Sequence, residues 1–210
     1  MAGRILHVLN SLHPGGMENG VVNLVRALEG EFDFSICCIE RTGVLADRLG
    51  RGVRVYELGK RPGKSSRMFF LLRHLILQER PAVVHTHSFG TLFYSFLAVV
   101  GTPARIVAGE HGDLYVLRPS GRYLFYRRCL LWRTARFVTV SETMRADLVR
   151  AGLPADRVTA IPNGVDTERF APAPVEEAKR RLGLPVERCV VGMVGRLNAV
   201  NSIAIMILAP

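Results

Sequence analysis

Short apolar or β-branched runs alternate along this chain with longer segments whose apolar residues recur at helical spacing. Strands separated by helices form a mostly parallel sheet with helices on both faces, and strands buried on both faces are near-continuous hydrophobic runs. The alternation therefore predicts an α/β fold with a Rossmann-like parallel sheet. The candidate strands are residues 4–9, 34–39, 53–57, 82–85, 105–108, 137–140 and 158–161.

Three of the predicted helices have recognisable ends. Serine favours the position before a helix, glycine ends a helix in the left-handed conformation, and proline cannot continue one. The expected boundaries are Gly30 after a helix over 17–28, Ser65 or Ser66 before and Pro81 after a helix that ends near Glu79, and Ser141 before and Gly152 after a helix over 142–151.

A group of prolines follows the seventh predicted strand, and a proline-rich segment is typical of a connector between domains. We expect an amino-terminal domain over 1–172 and, over 173–210, a linker and the start of a second domain. One further strand is predicted in this second part, over 189–194. The prolines are Pro162, Pro172, Pro174 and Pro185.

The chain carries a formal net charge of +10, so its average surface attracts anions such as nucleotide phosphates, nucleic acid or acidic lipid headgroups. Basic residues are dense at 61–73 and 118–136, where they are interleaved with aromatic and aliphatic ones. These segments are either helices with solvated basic faces or a surface that touches a membrane or an anionic acceptor. The sequence holds no recognised nucleic-acid-binding motif, and we expect no nucleic-acid partner.

Two further features bear on the compartment. The longest weakly charged stretch, 88–100, is shorter than the roughly 20 residues that span a bilayer, and the chain begins with a strand-like run instead of a signal peptide. Cys37, Cys38, Cys129 and Cys189 lack metal-ligand spacing, and the first two face opposite sides of a predicted strand. We interpret all four as reduced core residues of a cytoplasmic protein whose membrane contact is at most peripheral.

Two consecutive glycines, Gly15 and Gly16, separate the first predicted strand from the first predicted helix. Without Cβ atoms they let the N–H groups at the helix start approach an anion, which the helix dipole favours. Ligands of open α/β sheets bind outside the carboxyl ends of the strands. The pair is therefore either an ordinary turn or part of a phosphate site at this edge.

Histidines follow the fourth and fifth predicted strands. His85 and His87 close the fourth strand, and Glu110 and His111 close the fifth, so three imidazoles and a carboxylate would gather along one edge of the sheet. A His-x-His pair could bind a metal, but spacing places no third ligand, so we expect no metal. We interpret His111 as a polar residue of a substrate cleft, or alternatively a structural loop histidine, and His85 as a hydrogen-bonded core residue.

Other catalytic templates are absent from the sequence. There is no Gly-x-Ser-x-Gly nucleophile elbow, and the turn from Asn10 to Gly16 lacks the spacing of a dinucleotide-binding fingerprint or a Walker loop. Hydrolase, dehydrogenase and kinase functions are therefore disfavoured.

Six short motifs follow one another along most of the chain: Gly15-Gly16-Met17-Glu18, Val84-His85-Thr86-His87, Glu110-His111-Gly112, Val140-Ser141-Glu142, Ile161-Pro162-Asn163-Gly164-Val165-Asp166 with Phe170 and Pro172, and Val194-Gly195-Arg196-Leu197. This ordered series resembles the retaining glycosyltransferases of family four, which have the two-lobed GT-B fold. It is most similar to the branch associated with bacterial exopolysaccharide synthesis. The resemblance covers about residues 4–197.

The resemblance implies transfer of a sugar from a nucleoside-diphosphate sugar to a glycan or lipid-linked acceptor, without a metal or other cofactor. It implies that Gly15 and Gly16 face the donor diphosphate and the acceptor, and that His111 approaches the transferred sugar. Arg196 would contact the diphosphate and stabilise charge on the leaving group. On the same grounds the acceptor side or cleft would include Glu18, His87, Glu110, Ser141 and Glu142, and Asn163, Gly164 and Asp166 would lie at a hinge whose closure assembles the site.

The carboxy-terminal part departs from the family pattern. The family continues after Gly-Arg-Leu with a Lys-Gly pair and later a carboxylate pair, whereas residues 198–210 contain no Lys, Arg, Asp or Glu. We therefore expect a truncated second lobe and an inactive chain. The alternatives are a stand-alone acceptor- or membrane-binding lobe, and a nucleotide-sugar epimerase of the same architecture, which the motifs at 163–166 and 195–197 fit less well.

Overall fold

A computed structural model describes residues 3–111 and 129–191. Seven parallel strands form one sheet in the order β3-β2-β1-β4-β5-β6-β7. Each strand coincides with one of the seven expected from the sequence, so the predicted α/β Rossmann-like fold is confirmed. The strands are β1 (Arg4–Ser11), β2 (Asp33–Arg41), β3 (Arg54–Glu57), β4 (Val83–Thr86), β5 (Arg105–Glu110), β6 (Thr134–Thr139) and β7 (Val158–Ala160).

Where the structure describes the connection between two strands, it contains a helix or a short 3-10 segment, since parallel strands need a crossover. No helix among the described residues is both long and apolar enough to cross a membrane. The helices are α1 (Gly16–Ala27), α2 (Arg67–Glu79), α3 (Phe89–Ala98), α4 (Glu142–Arg150) and α5 (Val175–Arg181), and short 3-10 segments cover Val44–Arg48 and Ala155–Arg157.

The helix ends agree with the sequence except in one detail. Ser141 accepts a hydrogen bond from the Met144 N–H at the start of α4, as a serine cap should. Ser66 precedes α2, but its side chain caps nothing and its backbone is already helical. Ser88 caps α3 in a reciprocal hydrogen-bonded arrangement with Thr91, which the sequence reading did not include.

The sheet has a hydrophobic core on each face. One core holds Leu72, Leu92 and Leu148 from α2, α3 and α4, and the other holds Val21, Val22 and Val25 from α1. Cys37 belongs to the first core and Cys38 to the second, as expected from side-chain alternation along a strand. The cores therefore confirm two of the four cysteine assignments.

The other two cysteine assignments are wrong. Cys129 and Cys189 are exposed. Cys129 immediately precedes Leu130, which is buried in the core on the α2 side, so the chain turns the leucine inward and the thiol outward. Cys189 lies outside any strand, and no sheet encloses it within the described residues.

The amino edge of the sheet is held by ionic contacts. Arg4 pairs with Asp33 through its Nε at 2.7 Å, and Arg54 contacts Asp33 at 3.2 Å and the buried Glu79 at 3.1 Å. The Tyr56 hydroxyl donates to Glu79 Oε1 at 2.7 Å. This hydrogen bond, the largest cause, raises the pKa of the phenol. The network joins β1, β2 and β3 to the end of α2.

Contacts divide the chain into two compact units between Gly164 and Val165. In the second unit, Asp166 Oδ1 accepts hydrogen bonds from the N–H groups of Glu168 and Arg169. Residues 189–191 are not in a strand. The rest of the strand expected over 189–194, together with Arg196, lies outside the described residues.

Candidate functional site

The candidate site lies at the carboxyl edge of the sheet, where β1 and β4 are neighbours. The chain leaves β1 toward β2 on one side and returns through β4 to build the other half of the sheet. Such a reversal in strand order opens a crevice outside the strand ends, where open α/β sheets bind ligands. The glycine turn after β1 and the histidines after β4 and β5 all lie at this edge.

The turn after β1 ends directly at the amino terminus of α1. Gly15 precedes the helix in an extended conformation, no side chain caps the helix start, and Gly16 is its exposed first residue. The N–H groups of a first helical turn have no partners within the helix. They are therefore available to an anion at the crevice, although Glu18 in the same turn also adds a negative charge there.

Neighbouring segments support this turn. The Gly15 carbonyl accepts hydrogen bonds from the backbone and side-chain nitrogens of Asn19 at 3.0 and 2.8 Å, and Arg48 donates to Asn19 Oδ1 at 2.6 Å. A Cβ atom at Gly43 would overlap the backbone of Leu12. The connection after β2 thus packs directly on the chain that leads to the glycine turn.

Four histidines form a cluster behind the turn, on the α1 side of the sheet. His7 of β1 pairs in register with His85 of β4. His7 Nδ1 lies 3.0 Å from His87 Nε2, and His87 Nδ1 lies 3.1 Å from His111 Nε2. His87 therefore joins a histidine inside the sheet to the half-buried His111 at its edge. The three imidazoles expected from the sequence do come together, and His7 is a fourth.

Burial keeps these imidazoles neutral. It is the largest cause in each case, and it lowers the pKa of His7 and His87 well below the usual value and that of His85 to about 4. Repulsion from neighbouring histidines lowers these three values further. Burial also lowers the pKa of His111. At neutral pH the cluster therefore offers neutral hydrogen-bonding groups and no imidazolium.

Gly109 makes room for the cluster. A Cβ atom there would lie 3.0 Å from His111 Nε2, 3.3 Å from His85 Nε2 and 3.2 Å from the Thr86 carbonyl oxygen. These distances are shorter than ordinary van der Waals contact, and one of them involves backbone. Any side chain at this position would require the imidazoles or the Thr86 carbonyl to shift by a few tenths of an ångström.

Three of these histidines also have the arrangement of metal ligands. His7, His85 and His87 each offer a nitrogen, and the three atoms lie within 4.8 Å of one another. Neutral imidazole nitrogens are the usual histidine ligands of transition metals. However, a metal between His7 and His87 would have to replace the hydrogen bond that already joins them.

The remaining expected site residues lie in different surroundings. Glu110 is buried, and alternation along β5 places it on the face opposite His111. The Ser141 hydroxyl is used as the cap of α4. Glu142 is exposed and pairs with Arg145 at 3.7 Å. The expected hinge residues Asn163, Gly164 and Asp166 are all exposed.

The basic segment 61–73 divides into two parts. Arg61, Lys64 and Arg67 are exposed and line one cleft. Arg73, which belongs to the same basic segment, donates to the carbonyl oxygens of Ala98, the last residue of α3, and of Val100 just after it. Its guanidinium is thus committed to the fold, because the last carbonyls of a helix need donors. Most of the other basic stretch, 118–136, lies outside the described residues.

The sequence model of Glycosyltransferase Family 4 matches residues 14–169. This span runs from the glycine turn, through all the histidines that follow β4 and β5, to beyond the end of the sheet. The chain belongs to Glycosyltransferase Family 4.

Relatives of known name agree with the family 4 assignment. The chain is 27% identical to the glycosyltransferase EpsF of Bacillus subtilis over 97% of its own length and 56% of the relative's. It is 29% identical to an α-1,3-galactosyltransferase of Escherichia coli that uses UDP-Gal and α-D-GlcNAc-diphosphoundecaprenol, over 80% of this chain and 46% of that one. The family 4 chain thus spans about half the length of these relatives.

Solved structures share the fold of this family 4 chain. The HepE protein of Anabaena, in complex with UDP-glucose, matches with a TM-score of 0.67 at 17% identity, over 86% of this chain and 50% of that one. A glycosyltransferase of Rickettsia africae matches with a TM-score of 0.69 at 19% identity, over 88% and 50%. A UDP-GlcNAc 2-epimerase of Neisseria meningitidis has a lower TM-score of 0.53, over 76% and 46%.

Two residues of the candidate site cannot be recognised from the sequence. His7 lies inside an apolar run, where it looks like any other residue of a buried strand. Gly109 directly precedes the Glu110-His111 motif but stood outside it. The register between parallel strands, which the sequence does not state, is what brings His7 beside His85.

Proposed function

We propose that this lobe, together with a complete second lobe, transfers a sugar with retention from a nucleoside-diphosphate sugar to a glycan or lipid-linked acceptor in cell-surface polysaccharide synthesis. The observation that carries the proposal is the placement of the Gly15-Gly16 turn after β1 and His111 after β5 at the same carboxyl edge of the sheet, within the span matched by the family. The named activity of the E. coli relative and the UDP-glucose bound to HepE support the choice of donor and acceptor class.

Each group has a defined part in this proposal. The N–H groups at the start of α1, reached past Gly15 and Gly16, bind negative charge of the donor or acceptor. His111 lies beside the transferred sugar as a neutral imidazole and hydrogen-bonds to it. Arg196 contacts the diphosphate and stabilises the leaving group. No metal or other cofactor takes part.

The other expected site residues support these groups. Glu18, His87, Ser141 and Glu142 border the acceptor side, whereas Glu110, on the opposite face, supports the end of β5. Ser141 acts through α4, whose start it caps.

Activity can be tested in a chimera that joins residues 1–172 of this chain to the second lobe of EpsF. The donors are UDP-glucose, UDP-galactose and UDP-N-acetylglucosamine, and the acceptor is diphosphoundecaprenol-linked N-acetylglucosamine. We expect transfer from at least one donor. Replacing His111 with alanine should lower the rate about a hundredfold, the usual effect of losing one transition-state hydrogen bond.

His74→Ala is the matched control, because His74 is an exposed histidine of α2, which packs on the face of the sheet opposite the cluster. It should leave the rate unchanged. A chimera that melts cooperatively but transfers no sugar, or one in which both histidine variants behave alike, would contradict the proposal.

A second candidate function is contact with an anionic membrane at the inner face of the cytoplasmic membrane. Arg61, Lys64 and Arg67 are exposed near the exposed Phe70 of α2. Basic residues near an anionic surface contribute about 1 kcal/mol each, so three matter at low salt. This contact would serve either the intact enzyme or a lobe that acts without catalysis.

Vesicle flotation tests the membrane proposal. The triple variant Arg61→Gln, Lys64→Gln and Arg67→Gln should lose binding to phosphatidylserine vesicles at low salt, while Arg73 is retained for the fold. The control carries the same change at the exposed Arg26, Arg41 and Arg51. Equal loss in both triple variants would show that only net charge matters, and unchanged binding would remove this segment from the membrane surface.

We further propose that the amino-terminal domain ends near residue 172 and that Asn163, Gly164 and Asp166 form a hinge to the second lobe. The first sheet is complete at β7, which ends at Ala160. A chain that ends at Pro172 should therefore keep the cooperative melting of the first unit. A melting temperature lower by many degrees would place structural contacts beyond this point.

A further inference from the structure

The three histidines joined by hydrogen bonds constrain one another. A neutral imidazole has one N–H donor and one bare nitrogen acceptor. His87 uses both ring nitrogens, one toward His7 and one toward His111. Whichever partner His87 donates to, it must accept from the other.

This rule leaves only two arrangements of protons. If His87 carries its proton on Nδ1, it donates to His111 Nε2 and accepts from His7 Nδ1, so all three histidines are protonated on Nδ1. If His87 carries its proton on Nε2, both bonds reverse and all three are protonated on Nε2. Mixed tautomers would leave a buried ring nitrogen without its hydrogen bond, which is unfavourable.

The inner end of this chain of histidines is closed. His7 Nε2 is buried and has no hydrogen-bond partner among the described residues, and His7 itself is 1% exposed. A proton that reached this nitrogen would have no acceptor to pass to. This row of histidines therefore cannot conduct protons through the sheet, and the tautomer of one histidine can change only if all three change together.

We propose that His7 and His87 are positioning residues that hold His111 in a single tautomer, the same one that they themselves adopt. The consequence concerns His111 Nδ1, which is buried and has no hydrogen-bond partner among the described residues: it is held either as a donor or as an acceptor for any group that reaches it. His85 packs beside the chain, with its ring centre 4.2 Å from that of His87, and restrains the ring that links the two ends. The pKa values of all four histidines are lowered by burial, which agrees with a chain that stays neutral.

This inference rests on the proposed function only for the statement that His111 meets a sugar. The shared tautomer is a property of the protein alone. It can therefore fail while sugar transfer is confirmed, or hold while sugar transfer fails.

Nitrogen-15 NMR of the histidine rings in the 210-residue chain tests the inference at neutral pH. Protonated and bare ring nitrogens have well-separated shifts, and couplings across N–H···N hydrogen bonds identify bonded pairs. We expect His7, His87 and His111 to show the same tautomer and two such couplings, from His7 to His87 and from His87 to His111. Different tautomers among the three, or averaged nitrogen shifts for His111, would overturn the proposal.

Two variants separate positioning from packing. His7→Leu removes the hydrogen-bonding nitrogen, so His111 should change from one tautomer to an averaged pair of shifts. His7→Asn places an amide near the former Nδ1 and should restore a single tautomer at His111. If the His111 shifts of the leucine variant equal those of the wild type, His7 has no positioning role. His74→Asn, outside the cluster, serves to assign signals and should change none of the three. If the leucine variant does not fold, the couplings measured in the wild type still show whether His7, His87 and His111 share one tautomer.

Discussion

Acid should destabilise this chain mainly through its buried histidines. An unfolded histidine has a pKa of about 6.5, whereas burial lowers that of His85 to about 4. Below about pH 6.5 the unfolded state therefore binds protons that the folded state does not bind. The free energy of unfolding falls as the pH is lowered, until the pH reaches the pKa of the folded state. Between about pH 7.5 and 5, His85 alone accounts for a loss of about 2 kcal/mol. His7 and His87, with pKa values lowered well below the usual value, add to this loss.

Urea unfolding followed by far-ultraviolet circular dichroism at the two pH values measures this loss. His85→Asn cannot titrate, so its loss between the two pH values should be smaller than that of the wild type by about 2 kcal/mol. Any cost of the asparagine itself lowers the free energy of unfolding by the same amount at both pH values. This amount cancels, because the loss is the difference between the two pH values for one variant. His74→Asn, at an exposed position, should lose as much as the wild type. If His85→Asn loses as much as well, His85 is not a buried neutral group and the electrostatic account of the cluster fails.

Three further predictions concern stability at neutral pH and are checked by the same unfolding measurement. Gly109→Ala should cost about 1–3 kcal/mol, because its Cβ would press on the Thr86 carbonyl and the His111 ring. Gly20→Ala, in an exposed and uncrowded position of α1, should instead stabilise by about 0.5–1 kcal/mol, and a cost there would refute the steric reasoning. Ser141→Ala should cost about 1 kcal/mol through loss of the α4 cap, and no change would mean that another acceptor or water receives the Met144 N–H. Tyr56→Phe should cost about 1.5–3 kcal/mol, because it removes the hydrogen bond to the buried Glu79 carboxylate, and a neutral result would show that the Arg54 contact suffices.

The sequence predicts the fold well because the spacing of apolar residues in strands differs clearly from their spacing in helices. All seven strands of the sheet come from runs of apolar residues, and the two faces of β2 were separated correctly at Cys37 and Cys38. Local rules of this kind depend only on neighbours along the chain. They therefore hold for the strands and for the Ser141 cap.

The site is less predictable, because it depends on residues far apart in the chain. His7 and His87 are 80 positions apart, and only the register of β1 against β4 brings them together. The misreading of Arg73 has the same origin. Its spacing along α2 suggests a solvated basic face, but its guanidinium reaches the carbonyls at the end of α3.

The ionic network at the amino edge has a consequence for how this protein can change over evolution. Arg4, Asp33, Arg54 and Glu79 join β1, β2, β3 and α2, and they do so at the end of the strands opposite the crevice. Substitutions among residues that meet a ligand at the carboxyl ends leave these contacts intact. The lobe can therefore accept mutations at the carboxyl edge while the anchoring of its first three strands is inherited unchanged.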